Sequence, residues 1–183
     1  MTPPSGGRRA ALLFSGPLLM LACGSTSVAT TPAANVVTGS ASCPAGEQQN
    51  LTFKGAITGH VSCSTTSAAC TKEGANGRTS AGVAAPINLR VGSTPVQLLL
   101  AFSDDKTETV SAGKLGDDPT STPDGATLDG LGHWETTTNG GGSMTIAADD
   151  AASASGSVDI HLASEKGRLS VSGSWRCVKP AGF

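Results

Sequence analysis

The chain has 183 residues, of which 14% are charged and 3% aromatic, with no Tyr and a formal net charge of −2. This length suits one folded domain, and the shortage of aromatic residues means that Val, Leu, Ile and Ala must form most of its core. The sequence contains no basic run that could hold phosphates, so we expect no nucleic-acid partner.

The first 22 residues have the three parts of a secretory signal peptide. Arg8 and Arg9 supply the positive charge, and residues 10–22 form an apolar run of thirteen residues. A membrane-spanning helix needs about 20 apolar residues, so this run is too short to be one. We therefore expect residues 1–22 to be removed on export. Without the two arginines, ten basic and fourteen acidic residues remain, a net charge of −4.

Cys23 follows the apolar run directly. The stretch Met20-Leu21-Ala22-Cys23 resembles the lipobox of bacterial lipoproteins, with Met20 where Leu is most common. The resemblance implies a diacylglyceryl group on the Cys23 sulfur, cleavage just before Cys23 and acylation of the new amino terminus. It also implies a chain anchored by lipid in the cell membrane or outer membrane, facing the extracytoplasmic side. The alternative is an ordinary signal peptide that is cut elsewhere.

Residues 23–42 combine the lipidated cysteine with small polar residues and one Pro. Such a segment cannot bury enough apolar surface to offset the entropy lost on ordering. We therefore expect it to be a disordered tether between the anchor and a single folded domain, residues 43–183.

Alternating apolar and polar residues predict strands along the whole of that domain. Residues 51–63 are expected to form one half-buried strand, followed by strands at 86–91, 95–103 and 107–115. The inward face of the first strand is predicted to carry Leu51, Phe53, Gly55, Ile57, Gly59, Val61 and Cys63.

Segments rich in Gly, Asp, Ser, Thr and Pro lie between these strands and the C-terminal part of the domain. Residues 116–130 are expected to form a long loop, and residues 136–143 a flexible turn. The clearest alternation lies at 156–163 and 168–177, which we expect to pair as a hairpin around the turn 164–167. The pattern as a whole predicts an all-β domain, an antiparallel β-sandwich or flattened barrel of about 7–9 short strands.

Four cysteines lie in the domain: Cys43, Cys63, Cys70 and Cys177. An even number in an exported chain predicts two disulfides, and the spacing does not suit a zinc site. If the first and last strands are antiparallel, Cys43–Cys177 and Cys63–Cys70 form, which is the pairing we favour. If these strands are parallel, the ends that carry Cys63 and Cys177 coincide, and Cys63–Cys177 with Cys43–Cys70 is the alternative.

The order of several short motifs is similar to that of the lipoprotein antigen family of actinobacterial envelopes. The motifs are ITGHVSC, INLRVG, KTETVSAGKLG and a last strand that ends in Cys. The resemblance implies a lipid-anchored β-sandwich without catalytic activity, and it favours the Cys63–Cys177 pairing. Cys43 and Cys70 stand outside the simplest pattern of that family.

The histidines do not predict a catalytic site. A hydrolase needs a nucleophile, a base and an orienting acid within reach of one another. His60 and His161 lie on outward faces of predicted strands, His133 adjoins Trp134, and no G-x-S-x-G motif is present. We therefore expect no enzyme activity and no cofactor.

Several Asp residues lie close together in two predicted loops in the middle of the sequence. Carboxylates on flexible loops favour Ca²⁺ over other ions. The sequence lacks the D-x-D-x-D-G spacing of a calcium loop, so we expect these residues to be solvated and the domain to hold no metal. The weak calcium candidates are Asp117, Asp118, Asp124 and Asp129, with Asp104 and Asp105 in the preceding loop.

These features lead to two hypotheses for function. The first is a lipid-anchored envelope protein, monomeric, that displays a disulfide-braced β-sandwich as a non-enzymatic binding or interaction module. Its partner would be an envelope protein or a glycan. The alternative is a carrier that holds a small apolar or lipid ligand in a cavity between the sheets.

Overall fold

A computed structural model describes residues 35–44, 46–72, 82–103, 106–112, 125–136 and 140–183. Within these ranges the regular structure consists of twelve β-strands, and no helix there is long and apolar enough to cross a membrane. The strands are β1 Asn35–Thr38, β2 Gln48–Gly55, β3 Ile57–Cys63, β4 Thr71–Lys72, β5 Val83–Val91, β6 Thr94–Phe102, β7 Glu108–Ser111, β8 Gly125–Asp129, β9 Trp134–Glu135, β10 Gly141–Asp149, β11 Ser153–Ser164 and β12 Gly167–Val178.

Nine of the strands close into a mixed barrel. The order of hydrogen-bonded neighbours is β12-β2-β3-β1-β5-β6-β8-β9-β11, and pairing of β11 with β12 completes the ring. Outside this ring, β10 pairs with β11, β7 pairs with β10, and β4 pairs with β5. The predicted all-β class, a sandwich or flattened barrel, is confirmed. The described strands outnumber the expected 7–9, and one pair, β1 with β3, is parallel rather than antiparallel.

β1 lies inside the segment for which a disordered tether was expected, so that expectation is wrong for residues 35–38. The strand fits between β3 and β5 and closes the barrel there. Val37 is buried, whereas Val36 points outward and is exposed. These pairings are with strands distant in sequence, and local composition therefore gave no sign of them. Residues 39–42 of the expected tether follow β1 without forming a strand, whereas residues 23–34 and the signal peptide lie outside the described residues.

The single strand expected at 51–63 is in fact a hairpin of β2 and β3. Gly55 adopts φ 117°, in the region that favours glycine, and the chain reverses at Ala56. Leu51 pairs with Val61 and Phe53 with Gly59, so odd-numbered residues oppose odd-numbered residues. Both arms therefore keep the predicted inward face, and the alternation alone could not reveal the reversal.

The strands expected at 86–91 and 95–103 are confirmed as β5 and β6. Of the strand expected at 107–115, the structure has Glu108–Ser111 as β7, and residues 113–115 lie outside the described part. Two further boundaries differ from those expected. Residues 125–129, expected within the long loop, form β8, which buries Ala126 and Leu128 and pairs with β6. Residues 141–143, expected within a flexible turn, begin β10. Residues 116–124 and 137–139 lie outside the described part. The C-terminal hairpin is confirmed, with β11 and β12 paired from Ser153↔Val178 to Ser164↔Gly167.

The inward residues of the strands pack into one core. Trp175 stacks on Phe102 with ring centroids 5.3 Å apart, and it lies directly opposite Gly156 on the neighbouring strand. A Cβ at position 156 would lie 1.6 Å from the carbonyl oxygen of Thr145 and 3.1 Å from Trp175 Nε1. Glycine is therefore required at position 156. The largest fully buried side chains are Trp175, Phe53, Phe102, Leu51, Ile57, Ile87, Leu89, Leu98, Leu100, Leu128, Met144 and Ile146.

The four cysteines of the domain form two disulfides, as expected, but in neither of the predicted pairings. The bonds are Cys43–Cys63 and Cys70–Cys177, with Cα–Cα distances of 5.6 and 5.0 Å. The favoured pairing, Cys43–Cys177 with Cys63–Cys70, is therefore wrong. The alternative, which the family resemblance also favoured for Cys63–Cys177, is wrong as well.

The strand order explains both corrections. β12 and β3 are parallel, because each is antiparallel to β2, but β2 lies between them. Two strand spacings amount to about 9.6 Å, beyond the reach of a disulfide. Cys43 instead follows β1, the other neighbour of β3. The amide N–H of Cys70 donates to Val178 O at 2.8 Å, which brings Cys70 to the end of β12.

Candidate functional site

A side-chain amide joins β2 to β12 near the start of β2. The Nε2 of Gln49 donates to Arg176 O at 2.7 Å, and Arg176 N donates to Gln49 Oε1 at 3.1 Å. The main-chain pairing of the two strands ends at Ser174↔Asn50. The buried amide of Gln49 therefore replaces the next pair of main-chain hydrogen bonds, at the irregularity in β2 between Gln48 and Leu51.

Gln49 holds only the main chain of Arg176, and the Arg176 side chain lies at the outer surface of the barrel. Its Nη2 donates to Ser153 Oγ at 3.0 Å. Gly46 lies close by, since a Cβ added at that position would be 3.8–3.9 Å from the guanidinium atoms. Arg176 Nε is buried and has no hydrogen-bond partner in the described structure. The guanidinium is thus held in place by neighbours that leave part of its donor capacity unused.

Asp150 is the carboxylate that acts electrostatically on Arg176. Its pKa is lowered from the usual value chiefly because Ala152 N and Ser153 N donate to it, with smaller contributions from the Ser153 hydroxyl and from the charge of Arg176. Both amide contacts measure 2.7 Å at Asp150 Oδ1. Asp150 is therefore engaged mainly by the turn between β10 and β11 and neutralises Arg176 only in part.

Two open pockets on the outer surface, one beside this arginine and one beside the first disulfide, adjoin at residues 48–50. We call the two together the outer groove. One half has a volume of about 570 Å³, the other about 590 Å³, and residues 48–50 line both. The first half is lined by Gly46, Gln48, Gln49, Asn50, Ala147, Ser155, Gly156, Ser157, Ser174, Trp175 and Arg176. The second is lined by Ala41, Ser42, Cys43, Gln48, Gln49, Asn50, His60, Ser62 and Cys63.

His133 lies elsewhere, on the exposed turn between β8 and β9, and contacts two carboxylates. Its Nδ1 is 2.7 Å from Asp129 Oδ1, and its Nε2 is 3.2 Å from Glu135 Oε2. These contacts raise the pKa of His133 above 6.5, the hydrogen bond to Asp129 most of all and that to Glu135 next. The predicted neighbour Trp134 is buried, so this pair consists of a surface histidine and a core residue.

The other two histidines lie on outward faces, as expected. His161 Nδ1 is 3.0 Å from Ser170 Oγ, and His60 Nδ1 is 3.4 Å from Thr52 Oγ1. In the described structure no carboxylate hydrogen-bonds to His161. Among the described residues, the Ser170–His161 contact therefore has no carboxylate in the place of the orienting acid of a catalytic triad.

Most of the residues predicted to carry the lipid or to bind calcium lie outside the part of the chain that the structure describes. Cys23, Asp104, Asp105, Asp117, Asp118 and Asp124 lie outside the described residues. Asp129 ends β8, where it pairs with His133. Within the described ranges, no group of three or more His, Cys, Asp or Glu side chains is arranged to hold a metal ion.

The outer groove was missed by the sequence interpretation. Gln49 and Arg176 are distant in sequence, and only the pairing of β2 with β12 brings them together. One local signal was available, since Gln49 continues the inward alternation of Leu51 and Phe53 and is a polar residue at a buried position. Searches of protein-family models, curated proteins and solved structures found no match to this chain. A function must therefore be argued from the chemistry of the chain itself.

Proposed function

We propose that this protein is a lipid-anchored component of a bacterial cell envelope that presents its barrel as a non-enzymatic binding module. The observation that carries the proposal is Cys23. Four of the five cysteines are joined in disulfides, so Cys23 is the remaining one, and it stands at the end of an apolar run too short to span a membrane. Lipidation gives this cysteine a role that disulfide pairing within the chain does not supply.

The length of the segment after Cys23 supports a position close to the membrane. Eleven residues separate Cys23 from β1, and they reach at most about 40 Å when fully extended. The disulfide Cys43–Cys63 joins the chain just beyond β1 to β3. We infer that the barrel lies within about 40 Å of the lipid anchor and binds partners close to the membrane surface.

A binding module suits the described residues better than a carrier does. The inward positions of the strands are filled by Trp, Phe, Leu, Ile and Met side chains that pack together. The outer groove lies on the outside of the barrel, and its lining includes eight Ser, Gln and Asn residues. Rigid scaffolds commonly use such surfaces for recognition.

The anchor can be tested by replacing Cys23 with Ser in the producing bacterium. We expect Cys23→Ser to abolish incorporation of labelled palmitate and to move the protein from the membrane fraction to the soluble fraction, because the thioether to the lipid cannot form. Ser25→Ala, two residues away, is the matched control and should leave both properties unchanged. Palmitate incorporation and membrane retention that persist in Cys23→Ser would overturn the proposal.

A further inference from the structure

The charge of the outer groove is opposite to that of the chain. From Cys23 onward the sequence has a net charge of −4. Among the described residues that line the groove, however, Arg176 and His60 are the titratable side chains, and neither half is lined by Asp or Glu. An excess of positive charge in a groove on an acidic protein favours an anionic ligand and disfavours other acidic surfaces.

The uncharged part of the lining favours a ligand rich in hydroxyl groups. Gln48 and Asn50 carry exposed amides, and Ser157 and Ser174 carry exposed hydroxyls. Amides and hydroxyls both donate and accept hydrogen bonds, as sugar hydroxyls do. The groove crosses the face of the sheet over strands already paired on both sides, so an extended peptide could not add to it as a strand.

The groove is long enough for more than one sugar ring. Most of its lining residues come from β3, β2, β12 and β11, which are consecutive neighbours in the barrel, and Ala147 lies on β10 beside β11. Four adjacent strands span about 14 Å at a spacing of about 4.8 Å. Arg176 is at the β12–β11 end of this path, and His60 is at the β3 end.

We propose that the outer groove binds a carboxylate-bearing polysaccharide, with the Arg176 guanidinium on a sugar carboxylate and the amides and hydroxyls of β2, β11 and β12 on neighbouring sugar hydroxyls. The guanidinium already donates to Ser153 Oγ, and Gln49 holds the main chain of Arg176, so part of the side-chain entropy is lost before a ligand binds. An arginine–carboxylate contact can be bidentate, which gives both strength and orientation. The inference deepens the proposed function, since it names the partner class of the binding module.

The test uses the protein purified in detergent from its producing bacterium and oligomers of polygalacturonate as the probe, with binding measured by calorimetry. Two groove variants are compared with two controls outside it. Ser157→Glu adds a negative charge to the groove, and Ser93→Glu makes the same change on the exposed β5–β6 turn. Arg176→Gln removes the guanidinium, and Arg168→Gln removes an exposed arginine elsewhere on β12. Thermal melting of each variant reports whether it is folded.

We expect wild-type protein, Ser93→Glu and Arg168→Gln to bind the oligomers alike. Ser157→Glu and Arg176→Gln should each weaken binding by about tenfold or more, as expected for loss of a charged hydrogen bond. Ser157→Glu keeps the test valid if Arg176→Gln fails to fold. Lack of binding by the wild type, or equal binding by Ser157→Glu, would overturn the proposal.

Two further probes test the chemical class. Dextran, a neutral polysaccharide, should bind at least about tenfold more weakly than polygalacturonate, and equal binding would overturn the role of the carboxylate. Polyglutamate carries carboxylates without sugar hydroxyls, and binding as tight as that of polygalacturonate would overturn the role of the sugar. Because all measurements are made on purified protein, failure here leaves the membrane fractionation of Cys23→Ser unaffected, and the two proposals are tested separately.

Discussion

Gln49 shows how one side chain can complete a sheet where the main chain departs from regular pairing. It is a buried polar residue whose carbonyl and amide groups are both used by Arg176. Leaving a buried main-chain donor and acceptor without partners costs about 1–3 kcal/mol for each group. The stability of the β2–β12 junction therefore depends on this amide.

We expect Gln49→Ala to lower the free energy of unfolding by about 2–4 kcal/mol, because two hydrogen bonds are lost and a cavity forms. Gln48→Ala changes the same residue type at an exposed neighbouring position, and it should change stability by less than about 0.5 kcal/mol. Urea unfolding of the two variants measures the difference. Equal stabilities would show that the amide of Gln49 does not support the junction.

His133 is a surface group whose pKa is shifted by its neighbours. The pKa of His133 is raised because Asp129 and Glu135 favour the protonated ring. The stabilisation from this contact is fully present below about pH 6.5, the ordinary pKa of histidine, and it is lost as the pH rises through the higher pKa of the folded state. Since the side chain is 57% exposed, solvent screening keeps the effect below about 1 kcal/mol.

We expect Asp129→Asn to lower the pKa of His133 towards 6.5, because it removes the carboxylate that contributes most to the shift. The measurement is an NMR titration of the His133 ring protons. Asp159→Asn, on the exposed face of β11, makes the same substitution away from His133 and should leave that pKa unchanged. A His133 pKa that is the same in both variants would contradict the described contact.

At the scale of elements, the two disulfides brace different parts of the barrel. Cys43–Cys63 joins the segment after β1 to β3 across a sequence separation of 20, whereas Cys70–Cys177 joins the loop after β3 to β12 across a separation of 107. The longer loop restricts the unfolded chain more. The chain-entropy model gives about 3.3 kcal/mol for the first bond and about 4.8 kcal/mol for the second.

We expect the double variant Cys70→Ala/Cys177→Ala to be less stable than Cys43→Ala/Cys63→Ala by about 1–2 kcal/mol, in keeping with the difference in loop length. Denaturant unfolding of the two variants provides the comparison, and each serves as the control for the other. Greater loss of stability in Cys43→Ala/Cys63→Ala would contradict this account of how the bonds act.

Alternation of residues predicted the elements well where each strand buries one face. Leu169, Val171 and Trp175 showed the inward face of β12, and Val96, Leu98 and Leu100 showed that of β6. The same alternation could not show the reversal at Ala56, because the turn keeps the odd-numbered residues inward in both arms. It also could not show β1, whose pairing depends on β3 and β5 rather than on its own four residues.

At the scale of the whole molecule, the sequence predicted the all-β class but not the order of the strands. The disulfide pairing depends on that order, since β2 separates Cys63 from Cys177. The outer groove depends on it too, because Gln49 and Arg176 meet only when β2 and β12 pair. Contacts between distant residues thus account for most of what the sequence interpretation missed, whereas the proposal for Cys23 rests on its local sequence context alone.

The central claim is that Cys23 is the first residue of the mature protein and carries its lipid anchor. The most direct measurement is the intact mass of the protein purified in detergent from its producing bacterium. We predict a mass equal to residues 23–183 with two disulfides plus a diacylglyceryl group and an amide-linked acyl chain. A mass that corresponds to an unmodified chain, or to one cleaved at another position, would contradict the claim.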